Sequence, residues 1–527
     1  MKNLAHIKND IPSGLVVFLV ALPLCLGIAL ASGAPLFSGI IAGIIGGLVI
    51  GSLSGSHTSV SGPAAGLIAI VVPAIKDLGS FEIFLVAVVL AGVLQLIFGL
   101  VKAGILSLYI PSSVIKGMLA AIGILLILKQ TPHLLGVDKD AFGEEEFVQS
   151  DGNTTFSYLL EAIEQVHWGG LMAGAVAFAI LIVWNSKAIQ HNKVLKQIPS
   201  ALLAVIAATL INVLYKSFFP ELIISGNHLV QLPFFNDMEG FKKLFTFPDF
   251  SALGNLDVYI VGVTIAIVAS LESLLSLEAA DKLDPLNRKS PQNRELMAQG
   301  AGNIFSGLIG GLPLTAVIVR SSANISAGAK TKTSAIIHGI LLLMAALVLS
   351  PILNQIPLAA LAAILILIGY KLAKTSLFVS QYKLGWDQFI PFLVTVIAIL
   401  FSDLLIGIGI GLAVGLLFIL KTNLSKLYII VKEKYRIVYI SSQEPNQHKK
   451  IKIKLSEHVS FLNKAALFSK LNELPSHSKV IIDGSNSHSI DYDVLEMIYS
   501  FKKQAREKSI SLTLENIPEL GIQQDLH

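Results

Sequence analysis

"TSVSGPAAGLIAIVVPAI", residues 58–75, decides the reading of this chain. It lies in one of the most apolar regions, yet it opens on polar residues, meets Pro63 and reaches Pro73 within one short run. A membrane helix needs about 20 consecutive apolar residues. Proline removes a backbone donor and crowds the preceding turn. Only the residues between the two prolines are therefore expected to be regular, as a short helix broken inside a membrane.

The rest of the chain supplies the membrane. Of 527 residues, 54% are hydrophobic and 14% charged, and the mean hydropathy is +0.72. This is too apolar for a water-soluble domain and fits a polytopic membrane protein. The single cysteine, Cys25, excludes an intrachain disulfide. "MKNLAHIKND" leads into a long apolar stretch without a persuasive cleavage site, so that stretch reads as a first span.

Long apolar runs fall near 12–32, 35–53, 81–104, 110–129, 168–185, 198–216, 257–280, 333–351, 356–376, 386–401 and 403–421. Shorter ones lie near 59–75 and 313–327, with a Gly-rich run near 296–312, which makes 14 segments. With the N-terminus inside, the loops carrying Lys187, Lys193 and Lys196, then Lys282, Arg288, Lys289 and Arg294, then Lys330 and Lys332, then Lys371, Lys374 and Lys383 all fall on the cytoplasmic side. The outer loop 130–166 is acidic, with Asp138, Asp140, Glu144, Glu145, Glu146 and Asp151. Lys242 and Lys243 dissent mildly from a long outer loop.

The second interrupted run, "LPLTAVIVRSSANISAGAK" (312–330), is tenth in order, as the Pro63 run is third. Matching broken segments in two halves of seven point to an inverted-repeat transporter. Half-helices ending at the midplane direct unpaired N–H groups and positive dipole ends inward, which suits an anion. Non-helical backbone at that depth needs protein or water to cover it.

After about Lys421 the composition turns charged. "KIKIKLSEHVSFLNKAALFSKLNEL" (450–474) reads as a strand and an amphipathic helix. "KVIIDGSNSHSIDYDVLEMIYSFKKQAREK" (479–508) reads as a buried strand, a turn and a helix, and "SISLTLENI" (509–517) as a further strand. A membrane domain over 1–425 and a small cytoplasmic α/β domain over 435–527 follow. Asp483, Asp491 and Asp493 read as solvated turn acids. The spans carry neither a metal-ligand cluster nor a nucleophile–base pair, and His57 and His338 are isolated, so no enzyme, cofactor, metal or nucleic acid is expected.

"SGPAAG" (61–66), "SLESLLSLEAADKL" (270–283), "NRELMAQGAGNIFSGLIGGLPLTAVIVRSSANISAGAKTK" (293–332) and "VIIDGSNSHSIDYDVLEMI" (480–498) together resemble the sulfate permease (SulP) family of anion transporters. The resemblance implies an α-helical polytopic fold of 14 transmembrane segments, arranged as 7+7 inverted repeats in core and gate domains, and a homodimer in the inner (plasma) membrane with both termini cytoplasmic. It also implies that the tail is a STAS domain. Tyr492 stands where similar anti-sigma antagonists carry a phosphorylated serine, so docking or dimer support is expected in place of a phospho-switch.

By the same resemblance the anion lies between the third and tenth segments. Ser61, Gly62, Pro63, Ala64 and Ala65 would line it from one side, Ala316, Val317, Ile318 and Arg320 from the other, and Leu24 from the first segment. With so few polar side chains, backbone N–H groups are expected to do most of the work, Ser61 being the one nearby hydroxyl on the third segment. Glu272 and Ser276, with Ala279, share one face of the eighth segment and are the coupling-ion candidates. An ionised carboxylate is expensive in a membrane interior, which suits a group that takes up and returns a proton. In plant-type symporters the matching glutamate serves proton coupling; in cyanobacterial bicarbonate transporters an aspartate helps bind sodium, and Ile318 stands where those relatives supply threonine. Glu278 is expected at the cytoplasmic interface in a structural role. The expected function is secondary active transport of bicarbonate or sulfate by proton symport, with sodium-coupled bicarbonate symport or an uncoupled exchanger or channel as alternatives. A nucleobase permease is disfavoured by the tail and the apolar site.

Overall fold

The computed structural model describes residues 6–138, 147, 154–186, 189, 191, 198–232, 244–423, 436–440, 450–455, 458–459, 464–487, 489–507 and 509–519. Lys187, Lys193, Lys196, Lys242, Lys243, Asp140, Glu144, Glu145, Glu146 and Asp151 lie outside them.

In a bilayer an apolar segment must satisfy its own backbone, and here it does so as helix. The first half comprises α1 (Ile7–Ala31) and α2 (Leu36–Leu53), then the strand β1 (Ser61–Pro63), one 3-10 turn (Ala65–Leu67) and α3 (Ile68–Leu78). It continues with α4 (Phe81–Leu100), α5 (Ser112–Leu134), α6 (Thr155–Glu164) bent by 110° against α7 (Trp168–Trp184), and α8 (Ser200–Phe218). The second half runs through α9 (Leu256–Leu283), α10 (Gln292–Leu308), β2 (Leu314–Ala316), α11 (Ile318–Ser326) and α12 (Thr333–Leu353). It closes with α13 (Leu358–Leu372), α14 (Thr375–Lys383), α15 (Trp386–Phe401) and α16 (Leu404–Asn423). Among the described residues eight helical stretches are long and apolar enough to cross a membrane, or nine if the bent pair is one span. The other predicted segments coincide with shorter helices or strand–helix breaks.

The expectation that regular structure lies only between the prolines is corrected. α3 runs through Pro73 to Leu78 and stops at Gly79, whose φ of 86° ends the helix. Pro73 forfeits one hydrogen bond, to the Ala69 carbonyl, and the rest of the ladder continues. The break lies before the helix, where Pro63 belongs to a strand.

Glycine contacts show how the halves interleave. A β-carbon on Gly92 (α4) would stand 2.6 Å from the Gly300 carbonyl (α10), and one on Gly47 (α2) would stand 2.5 Å from Cα of Gly339 (α12). These are segments four with nine and two with eleven, which exchange when each half is replaced by the other. Gly123 of α5 meets the Gly369 carbonyl of α13, 2.6 Å from where its β-carbon would be, and segments five and twelve exchange with each other. Close backbone approach of this kind substitutes for a hydrophobic driving force inside lipid.

The tail has its own core, formed by Ile451, Ile453, Val480, Ile482, Ile498 and Phe501 among others. Its sheet comprises β3 (Arg436–Ile440), β4 (Lys450–Lys454), β6 (Lys479–Asp483) and β8 (Ser511–Glu515) in that order, the first pair antiparallel and the others parallel. A two-residue pair, β5 (His458–Val459) with β7 (Ser489–Ile490), stands apart. The helices are α17 (Lys464–Asn472) and α18 (Tyr492–Glu507). The sequence pattern missed β3 and the two-residue strands β5 and β7.

Asp493 corrects the expectation of a solvated turn acid. It is buried, and its carboxylate accepts the Ser112 backbone N–H at 2.8 Å, capping the start of α5. Beside it Glu496 reaches Lys116 of α5 at 3.7 Å and Lys282 of α9 at 3.3 Å. Tyr492 lies under the Lys116 ammonium, 5.0 Å from ring centre to nitrogen.

Candidate functional site

Residues 61–63 and 314–316 form an antiparallel pair with Ser61 opposite Ala316, Gly62 opposite Thr315 and Pro63 opposite Leu314. β1 leads through Ala64 and the 3-10 turn Ala65–Leu67 into α3, and β2 leads through Val317 into α11, so each helix begins shortly after its strand. The first-turn amides of each helix have no partner within the helix, and both positive dipole ends face the pair. Ser61, Gly62, Pro63, Ala64, Ala65, Ala316 and Ile318 are buried and Val317 is half-buried. The two broken segments thus come together as the sequence predicts.

The expected reliance on backbone donors needs correction at two positions. The Ala316 amide donates to Ser273 Oγ at 3.1 Å, and the Val317 amide donates to the Val60 carbonyl at 2.9 Å. Strand pairing and the neighbouring α9 consume both groups. The amides that open the 3-10 turn, at Ala65 and Gly66, and those that open α11, at Ile318, Val319 and Arg320, have no acceptor one turn back within their own helix.

Arg320 is fully buried in the first turn of α11. Its guanidinium fills the space over Gly62, where a β-carbon would stand 1.9 Å from Nη1, and Nη2 contacts Cys25 Sγ at 3.4 Å. Nε and Nη1 are buried with no hydrogen-bond partner among the described residues. On α1, Arg320 thus meets Cys25, next to the predicted Leu24, which is also buried.

Glu272, Ser276 and Ala279 are all buried along α9, as their spacing predicts. Gly66, at the opening turn of the third-segment helix, admits the Glu272 carboxyl; a β-carbon there would stand 3.3 Å from Oε2. The third segment is thus flanked by Arg320 at Gly62 in the strand and by Glu272 at Gly66 in the turn that follows it. Glu278 pairs with Lys289 at 3.0 Å, in keeping with a structural role.

Sequence reasoning missed the polar stripe on α10. Glu295, Gln299, Asn303 and Ser306 are buried on its inner face. Asn303 clasps the Leu314 backbone, receiving its N–H at 2.6 Å and donating to its carbonyl at 3.1 Å. Ser306 Oγ donates to the Leu312 carbonyl at 2.7 Å. The signal was present: polar residues spaced by four in "NRELMAQGAGN" mark one helical face.

Comparison with known proteins agrees with this architecture. YvdB of Bacillus subtilis (strain 168) is 29% identical over 426 residues, covering 80% of this chain and 74% of that protein. The bicarbonate transporter BicA of Picosynechococcus sp. is 26% identical over 418 residues, covering 78% and 69%. The sodium-independent sulfate anion transporter of Bos taurus is 25% identical over 539 residues, covering 98% and 85%. The solved transmembrane domain of a cyanobacterium bicarbonate transporter BicA superposes with a TM-score of 0.52 at 24% identity, covering 78% of this chain and 97% of that one. Murine Slc26a9, an anion transporter in the inward-facing state, gives 0.55 at 16% identity, covering 97% and 86%. The model of the sulfate permease family matches residues 7–396, so this polytopic helical protein belongs to that family, whose members are transporters and not enzymes.

Proposed function

We propose that this protein carries bicarbonate or sulfate across a bacterial inner membrane by proton-coupled symport, as a homodimer with both termini cytoplasmic. In this reading residues 1–425 form the transport domain and 435–527 a STAS domain. The anion sits at the crossing of β1 and β2. Ser61, the opening amides of the 3-10 turn before α3 and of α11, and the Arg320 guanidinium contact it, and Leu24, Gly62, Pro63, Ala64, Ala65, Ala316, Val317 and Ile318 shape its surroundings. Relatives named as bicarbonate and sulfate transporters support the substrate class.

The observation that carries the coupling is the position of Glu272, buried on α9 with its carboxyl against Gly66. An anion beside it places two negative charges in a low-dielectric cleft, so protonating Glu272 and binding the anion favour each other. Sodium requires several oxygen ligands at short range, and Ile318 brings none to stand beside Glu272 and Ser276. The test is uptake of radiolabelled bicarbonate and sulfate into reconstituted vesicles with proton and sodium gradients varied separately. Uptake that follows an inward proton gradient supports the reading, and uptake that tracks sodium at fixed pH overturns it.

A further inference from the structure

A chain of four buried side chains leads from the end of α2 to the strand crossing. Ser61 Oγ accepts a hydrogen bond from Gln299 Nε2 at 2.8 Å. The same nitrogen donates to Glu295 Oε1 at 2.8 Å. Ser54 Oγ donates to Glu295 Oε2, and it receives the Ser56 backbone N–H at 3.0 Å. Ser54, Ser61, Glu295 and Gln299 are all buried.

A carboxylate only accepts, an amide nitrogen has two hydrogens and a hydroxyl has one. With Glu295 ionised, these rules orient every hydrogen in the chain. Both Gln299 hydrogens are used, one on Glu295 and one on Ser61. Turning the amide over would set its oxygen against a carboxylate oxygen, so Glu295 decides which way Gln299 stands. The orientation is held against a penalty, since Gln299 Oε1 is buried without a hydrogen-bond partner among the described residues. Ser61 Oγ, already accepting, keeps its own hydrogen to give. An overturned amide would instead present its oxygen to Ser61 and draw that hydrogen away from the crossing.

We infer that Glu295 and Gln299 are positioning residues that fix the polarity of Ser61, so that its hydroxyl is offered as a donor to the transported anion. The inference rests on the reading of Ser61 as an anion ligand, and it assigns Glu295 a role distinct from that of Glu272. Neither Glu295 nor Gln299 touches the anion. Each acts through one hydroxyl, and their effects disappear when that hydroxyl is removed.

A double-mutant cycle in reconstituted vesicles tests this, with radiolabelled bicarbonate and sulfate as probes and melting temperature and gel filtration reporting on folding. Ser61→Ala is expected to raise KM about fivefold with little change in maximal rate, the loss of one ordinary hydrogen bond. Gln299→Met, close in volume and without a donor, is expected to raise KM by a similar factor. The double variant should match Ser61→Ala alone. Independent effects would multiply to about 25-fold, and that result overturns the positioning role while leaving Ser61 in the site. An unchanged KM in Ser61→Ala overturns the site reading itself. Where Gln299→Met does not assemble, Glu295→Gln carries the cycle: by releasing the amide it should raise KM only while Ser61 is present, and a KM rise that persists in the Ser61→Ala background overturns the inference.

Discussion

The Arg320 guanidinium and Gly62 share one space: a β-carbon on Gly62 would stand 1.9 Å from Nη1 and 2.8 Å from Cζ. Gly62 of the third segment is therefore the seat of the tenth segment's only charge. Gly62→Ala should displace the guanidinium, break its contact with Cys25 and abolish uptake, at a cost of about 1–3 kcal/mol in stability from overpacking. In an Arg320→Lys background, whose side chain has no planar fork, the alanine should cost less. Equal losses in both backgrounds, measured by thermal melting and uptake, would show that Gly62 acts independently of Arg320.

A site built around helix-opening amides tolerates loss of a side chain better than loss of space. Val317→Trp, or a bulky residue at Ala65, should abolish transport by filling the crossing, with expression and gel filtration unchanged. Normal uptake by Val317→Trp sinks the placement of the anion between β1 and β2.

Glu272→Gln mimics the protonated carboxyl. Anion binding or exchange should persist in this variant, while accumulation driven by an inward proton gradient is lost. A variant that still accumulates anion with protons removes Glu272 from the coupling.

Besides Asp493, the tail meets the membrane helices through Glu496, which reaches Lys116 and Lys282. Burial alone would raise the Glu496 pKa, but Lys282 and Lys116 outweigh it and hold the carboxyl well below its ordinary 4.5. A lowered folded value means that this contribution is present above about 4.5 and lost as pH falls toward the depressed value. Glu496→Gln should raise hydrogen exchange in α18 and at the start of α5 at neutral pH. Deleting residues after 440 should leave anion binding intact, because the strand crossing is built from earlier residues. Complete loss of binding in a folded truncation contradicts an accessory tail.

A second charged cluster ties the end of α5 to the segment after α8. Asp138 accepts from His133 Nδ1 at 2.6 Å and from His228 Nδ1 at 2.7 Å, and the His167 ring stacks on His228. The hydrogen bond to Asp138 raises His228 above its ordinary 6.5 and outweighs burial. For Asp138 burial works upward, and the two histidine hydrogen bonds outweigh it to hold the carboxyl below 3.8. The His228 contribution is therefore full below about 6.5 and fades as pH rises through the raised value. The melting-temperature gap between the wild type and His228→Asn should shrink across that window, whereas a gap independent of pH would show that His228 contributes only packing.

The membrane setting, the order of the segments and the two matched breaks were legible in the sequence, because hydropathy and proline act locally and are counted along the chain. Glu272 and Arg320 stood out for the same reason: a charge in an apolar run is visible without coordinates. The tail's strands β4, β6 and β8 and its two helices were legible from their periodicity; the edge strand 436–440 and the two-residue strands 458–459 and 489–490 were not. The partner of each polar group was not legible. That Ser273 and Val60 take the Ala316 and Val317 hydrogens, that Gln299 turns toward Ser61, and that Asp493 caps α5 from 381 residues away depend on which faces meet after folding. Hydrogen bonds are short-ranged and directional, so the sequence marked the residues able to form them, and only the packing of helices and strands decided which of them did.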